Sequence, residues 1–464
     1  MSSSQAVWTV LGASALVLVV IALWTLRRAR TLEDFRAAGA LGVIRGGLSG
    51  AASAYSFWLV VGVAGAAFTL GWSALWLAIG IVLGAAFAWF VVGPAVKRAA
   101  SAAGASTALD LAGGSGEGSG AATLSVTSLA AVAALFGIVA QLGFAGAAVA
   151  NGLGTSAAVG VMLVAALALL APVLGGLRAT ASAGVLCALI VIPVVLMLPT
   201  FGLIFIGPVD QLRTALATTG DSAAALFGGR STLDAAVLVL AAAGLGAGIC
   251  GQPQVLDQFV AARSERALRG SGVFAVFWML VVLTGALVLG WAARIDYSSI
   301  ANPDDVIFEV PRRVMPPAFA ALPVLAVLAL VVCSVGNQLV LLAHAALNVA
   351  RNRDAPPVSL KRIRLVILIA GILAAAIAAV SGVGSSRGFL LAWLALSAMV
   401  GPLVLMSCAG VRVRPPWVAG AARAAIALTL ILFLLRRERL IEIAMFLPFY
   451  GALLIALLGR RRDA

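Results

Sequence analysis

The sequence predicts an all-α polytopic membrane protein of about thirteen transmembrane helices, and three observations carry that expectation. The chain is 63% apolar and only 10% charged over 464 residues, with a mean hydropathy of +1.13. Soluble domains sit at about 45–50% apolar and about 25% charged, so no soluble core needs this fraction. The apolar residues come in runs of about 20, the length that crosses a bilayer as a helix. The 50 glycines suit close packing between such helices, where small residues let backbones approach.

The runs fall at roughly 7–25, 45–70, 72–95, 124–153, 155–177, 181–207, 233–260, 271–293, 318–349, 363–383, 388–410, 417–435 and 440–458. The first is followed, not preceded, by Arg27, Arg28 and Arg30. That order fits a retained helix with its N-terminus outside rather than a cleaved signal peptide. In this orientation roughly two-thirds of the 31 basic residues face the cytoplasm, as the positive-inside rule requires. An odd helix count then leaves the C-terminus cytoplasmic, in a multi-pass protein of the cell (inner) membrane. The net charge of +14 is scattered in short clusters between the runs, a topology signal rather than a nucleic-acid patch. Cys187, Cys250, Cys333 and Cys408 all sit inside apolar runs and form neither a disulfide framework nor a zinc motif. The Gly/Ser run at 113–120 reads as linker. Asp210, Asp221, Asp296, Asp304, Asp305 and Glu309 read as solvated loop.

Two runs are poor helices. Residues 46–58 open a membrane segment with three glycines, three serines and no charge. Residues 243–254 place four glycines and Pro253 inside another. Backbone freed from a helix at this depth must be satisfied by neighbouring protein or by a ligand. Leaving the first helix aside, each interrupted segment opens a set of five runs. Five is odd, so the two sets enter the membrane in opposite senses. Interruptions at matching places in inverted halves point to a transport site near the midplane. Further polar groups lie at membrane depth. Cys333, Ser334, Asn337 and Gln338 occupy adjacent turns of the 318–349 segment, and Gln141 stands alone in an apolar run. His344 lies nearer a helix end, where it reads as wet or structural.

Several blocks, in order, carry a resemblance. They are Thr31-Leu32-Glu33-Asp34-Phe35, the Gly/Ser/Ala-rich stretch with Trp58 and Gly65-Ala66-Ala67-Phe68, and Trp72-Ser73-Ala74-Leu75-Trp76. Gly251-Gln252-Pro253-Gln254, Asn302-Pro303 to Glu309 and Cys333 to Leu339 follow. Together they resemble the solute:sodium symporter family, its bacterial proline-transporting branch most of all, over roughly residues 30–410. The resemblance implies a five-plus-five inverted-repeat transporter fold with one extra helix before and two after. The implied units are an N-terminal helix (1–30), a first repeat (31–230), an inverted second repeat (231–411) and two C-terminal helices (412–464). It also implies a sodium ion held by the carbonyls of Ala52, Tyr55 and Leu330 and by Cys333 and Ser334. A small solute would sit among Ser56, Phe57, Gln141, Ile249 and Pro253.

This chain departs from the family pattern at several places, among them Leu142 or Gln141 in place of a tyrosine. Cys333 stands where a hydroxyl is expected, and a thiol is a soft ligand for a hard cation. Ala54 stands where the proline branch carries an acid. Leu245 and Ile249 replace aromatic residues of that branch. The expected function is secondary active transport, with Na+ as coupling ion and no cofactor. The pocket residues include no acid, so they suit a small neutral, zwitterionic or monocarboxylate solute. The alternatives are a proton-coupled or uncoupled transporter, or a non-transporting solute-sensing or accessory membrane protein of the same fold. The expected partners are the solute and the lipid bilayer, with no nucleic acid. The sequence leaves the oligomeric state open. A lone histidine and the absence of paired carboxylates argue against an enzyme, and the lack of a filter-like loop argues against a channel.

Overall fold

The computed structural model describes residues 3–26, 29–113, 119–206, 211–220, 222–316, 319, 321–349, 359–382, 384–435 and 437–461. Within these the chain is helical, and the only β-pairings are two isolated bridges. A bilayer dictates this, because each backbone polar group must find its partner within its own segment. Helix α1 (Ser3–Leu26) packs on the core from outside it. A short α2 (Leu32–Phe35) is closed by a capping box in which Thr31 and Asp34 satisfy each other's backbone N–H.

The first repeat begins with a π-helical turn, Arg45–Ser49, that continues into α3 (Gly50–Ala54) and, after an interruption, α4 (Trp58–Leu70). It goes on through α5 (Leu75–Phe87), α6 (Gly93–Ala103), α7 (Ala108–Ala112), α8 (Ser119–Leu153) and α9 (Ala157–Ile206). A short α10 (Leu212–Ala217) leads to the second repeat. There α11 (Thr232–Ala247) and α12 (Pro253–Val260) flank the second interruption, followed by α13 (Glu265–Asp296). The surface α14 (Val306–Val314), then α15 (Leu322–Val349), α16 (Leu360–Ser381) and α17 (Ser386–Cys408) complete it. The C-terminal helices are α18 (Pro415–Leu434), α19 (Glu438–Ala444) and α20 (Leu447–Leu458). Serines at N-cap positions start several of these, with Ser264, Ser359 and Ser385 accepting from the backbone N–H three residues on.

Eleven helical runs among the described residues are long and apolar enough to span, against the thirteen expected. Two of them, 46 and 44 residues long, exceed the roughly 20 residues one crossing needs. Each contains a glycine in the left-handed region, Gly71 (φ 61°) and Gly176 (φ 57°), where the chain turns. The Gly71 turn is closed by the Trp291 indole N–H, which donates to Gly71 O at 2.8 Å, and by stacking of Trp72 on Trp291.

Two loop and helix-end expectations change. Asp304 is no freely solvated acid: its carboxylate accepts from the Ser386 hydroxyl at 2.5 Å and the Ser386 N–H at 3.1 Å. Such an N-cap link ties the 302–305 loop to the start of α17. His344 is buried at 3% exposure, not wet. Asp210, Asp221 and residues 114–118 of the Gly/Ser run lie outside the described residues.

Candidate functional site

The first interruption follows from its small residues. With no bulky side chain from Gly46 to Ala54 except Leu48, the π-turn settles on α13 so closely that a Cβ on Gly47 would lie 2.5 Å from Ser271 O. Helix α3 then stops at Ala54. Tyr55 takes φ −118°, ψ 0°, and Ser56 takes φ 50°, a left-handed conformation uncommon for a non-glycine residue. Two tight turns restart the helix, Trp58 N–H to Tyr55 O (3.2 Å) and Leu59 N–H to Ser56 O (3.3 Å). The end of α3 leaves its last carbonyls without partners in the helix.

The second interruption is a 3-10 turn, Gly248–Gly251, followed by extended Gln252, with Pro253 at the first position of α12, where its missing N–H costs nothing. Helix α17 holds both interruptions. Trp393 Nε1 donates to Ala54 O at 2.6 Å. Ser397 Oγ donates to Gly248 O at 2.8 Å, and Gln252 Nε2 donates to both Trp393 O and Ser397 Oγ at 2.9 Å. The breaks also meet each other directly: the Tyr55 hydroxyl donates to Leu245 O at 2.7 Å while its ring stacks on Trp393 at 4.7 Å.

Beside the first break lies a buried polar chain. Ser56 Oγ is 2.6 Å from Gln141 Oε1, and Gln141 Nε2 is 2.8 Å from Gln338 Oε1 and 3.0 Å from Gly137 O. It joins the break, α8 and α15. Above it, Phe57 stacks on Phe144 (4.4 Å) and packs against Phe389 (5.4 Å). Over these rings opens a cavity of about 850 Å³ lined by Trp58, Phe144, Asn302, Phe308, Arg387 and Leu390 among others. Charged side chains, Arg230, Asp305 and Arg387 among them, also line this cavity. Arg230 pairs with Glu442 at 2.7 Å, and burial with Asp304 alongside pushes the Asp305 carboxyl up.

Of the expected cation residues, Leu330, Cys333 and Ser334 lie on α15, and Leu330 and Cys333 each reach the first interrupted stretch. The Cys333 thiol lies 3.8 Å from Ser49 O, and Asn337 Nδ2 lies 3.8 Å from Cys333 Sγ. Ser56 Oγ is 3.4 Å from Leu330 O. Among the described residues, Ser49 Oγ, Ser334 Oγ and Asn337 Oδ1 are buried oxygens with no hydrogen-bond partner. An unpaired buried oxygen is costly, and oxygen donors are what a hard cation requires. A Cβ on Gly184 would come within 2.5 Å of Ser49 Oγ and 2.9 Å of Cys333 Sγ, so only glycine lets α9 close this spot.

Of the expected solute residues, Ser56 and Gln141 touch, Phe57 packs on Phe144 and Phe389, and none of the five lines the cavity. Ile249 and Pro253 are buried in the second break, joined to the first through Tyr55 and Trp393. Sequence reasoning missed Ser49, Trp393 and Ser397. Ser49 carried a signal as a hydroxyl within the interrupted stretch. Trp393 and Ser397 lie in an ordinary apolar run and gave none.

A membrane bundle in which two interrupted helices are joined through Tyr55, Trp393 and Ser397, with buried polar groups at their breaks, defines a class: secondary transporters. The chain belongs to the sodium:solute symporter family, whose model matches residues 35–415. It is 22% identical over 411 residues to the osmoregulated proline transporter OpuE of Bacillus subtilis, covering 86% of this chain and 82% of that one. It is 23% identical over 407 residues to the high-affinity proline transporter PutP of the same organism, covering 84% of each. Among solved structures, a Na+-coupled sialic acid symporter in a substrate-bound outward-open state matches with a TM-score of 0.80 at 16% identity over 99% of both chains. The nucleobase-cation-symport-1 family transporter Mhp1 matches with a TM-score of 0.58 at 11% identity, over 92% of this chain and 94% of its own. At those identities the structural likeness concerns the fold alone. The protein is a multi-pass membrane transporter of the five-plus-five type and not an enzyme.

Proposed function

We propose that the protein is a sodium-coupled symporter of a small neutral, zwitterionic or monocarboxylate solute, working by alternating access. The observation that carries the reading is the set of buried, unpartnered oxygens of Ser49, Ser334 and Asn337 beside the first break. Sodium would take the carbonyls of Ala52, Tyr55 and Leu330, the Ser334 hydroxyl and the Cys333 sulfur. The Tyr55 carbonyl already accepts from Trp58 and keeps a second lone pair for the ion. The solute would lie against Ser56, Phe57, Gln141, Ile249 and Pro253. None of these side chains is charged, so a solute that carries both charges, or one anionic end near a half-helix N-terminus, fits better than a cation. The names of the relatives make proline the first solute to test.

With the N-terminus outside and the C-terminus inside, the cavity above Phe144 opens to the exterior. Sodium bound between α3 and α15 stabilises that arrangement, so the solute meets a preformed pocket, and by linkage each ligand tightens the other. The test is a thermal-stability screen of the purified protein against proline, other amino acids, monocarboxylates and polyols, in sodium and in choline. A ligand that binds only the folded state raises the unfolding temperature. The expected result is a solute whose stabilisation is larger in sodium than in choline. Equal stabilisation in both salts would overturn sodium coupling and favour the proton-coupled or uncoupled reading. Failure of every solute in these classes would overturn the solute assignment.

A further inference from the structure

We propose that Gln338 is a positioning residue that fixes the Gln141 carboxamide and so keeps the Ser56 hydroxyl off the carbonyl of Leu330, leaving that carbonyl to the cation. The inference rests on the cation placement proposed above. The Ser56 side chain is within reach of both sites, 2.6 Å from Gln141 Oε1 and 3.4 Å from Leu330 O. Both neighbours are acceptors, and a hydroxyl has a single proton to give. Whichever acceptor is held nearer takes it.

Gln141 is held by its other end. A backbone carbonyl can only accept, so the carboxamide edge facing Gly137 O at 3.0 Å must be the NH2. Its second N–H goes to Gln338 Oε1 at 2.8 Å. With both N–H groups engaged, Oε1 is directed at Ser56 and commands its proton. Gln338 stands four residues after Ser334 and eight after Leu330 on α15, so the three lie on one stripe of that helix. The residue that steers Ser56 is therefore built on the helix that supplies the cation's ligands. Without the Gln338 acceptor, one buried N–H of Gln141 is left unpaired and the NH2 end is held by Gly137 O alone. The Ser56 proton then falls to Leu330 O, and an entering cation must displace it.

The experiment titrates sodium against thermal stability of the full-length protein, with no solute present, for wild type, Gln338→Met, Ser56→Ala and the double variant. Losing one hydrogen bond's worth of bias predicts a half-saturating sodium concentration about fivefold higher in Gln338→Met. Ser56→Ala removes the competing hydroxyl, so Gln338→Met should have no further effect in that background. Equal weakening in both backgrounds, or no weakening in either, overturns the inference. If Gln338→Met does not fold, Gln338→Asn retracts the acceptor by one methylene and is read by the same outcomes. Ser334→Ala is run in parallel. If it leaves the sodium response unchanged, the cation placement fails and this inference fails with it. If it weakens sodium while Gln338→Met does not, only this inference fails.

Discussion

In the cation site proposed above, Cys333 sets the chemistry at the scale of one residue. Its sulfur occupies the place where a hydroxyl is expected, near Ser49 O and Asn337 Nδ2. Sulfur is a soft, weak donor to an alkali cation, whereas an oxygen of similar reach is a hard one. Cys333→Ser should lower the sodium concentration that gives half-maximal stabilisation several-fold, measured by the same salt titration of thermal unfolding. No change would mean that this side chain does not face the ion. What was legible at this scale was residue type and depth. Ser56 and Gln141 stood out because polar groups are costly inside a membrane, and they do meet. Trp393 and Ser397 were not legible, because an indole or a hydroxyl in an apolar run looks like packing until the carbonyl it caps is known. Those carbonyls, Ala54 O and Gly248 O, belong to segments far away in sequence.

Among the elements, glycine spacing decides how near two helices come. Gly80 and Gly84 on α5 face Gly246 on α11: a Cβ on Gly80 would lie 2.1 Å from Ala242 O, and one on Gly84 2.2 Å from Gly246 O. This backbone-on-backbone crossing anchors the upper half of the second interrupted helix to the first repeat. Gly80→Val forces it apart and should cost about 3 kcal/mol, seen as a lower unfolding temperature in detergent. Gly420→Ala, on α18, meets nothing within 4 Å and should stay within about 1 kcal/mol of wild type. Equal losses at both positions would contradict the packing argument. Both interruptions were readable from glycine, serine and proline at membrane depth, and both lie where they were expected. The short helices α7, α10 and α14 were not, since each is one to three turns inside a segment whose composition reads as loop.

For the molecule as a whole, the two ends differ. The end holding the rim residues Asn302 and Arg387 opens into the cavity. The opposite end is bound shut around α12. Asp257 accepts from the Ala108 N–H at 2.7 Å, Lys97 Nζ donates to Val260 O at 2.9 Å, and Arg98 pairs with Glu265 at 2.7 Å. Leu41 bridges to this segment through Ala261 O and the Arg263 N–H. These links fasten α12 and the start of α13 to α6, α7 and the segment before the first interrupted helix, so opening that end means moving α12 against α6 and α7. Such an asymmetry is what one station of an alternating-access cycle requires. It was not legible from sequence, because it depends on which of two arrangements the same helices adopt.

Sodium bound where the first break meets α15, as proposed above, would be reported by two native thiols. Cys333 and Cys250 are both 1% exposed, one at the candidate cation site and one in the second break, while Cys408 is half-buried at the end of α17. The direct measurement is the rate at which N-ethylmaleimide alkylates each cysteine, read by mass spectrometry in sodium and in choline at equal ionic strength. The account predicts that sodium slows alkylation of Cys333 and Cys250 several-fold and leaves Cys408 unchanged. Equal rates in the two salts at Cys333 would contradict it.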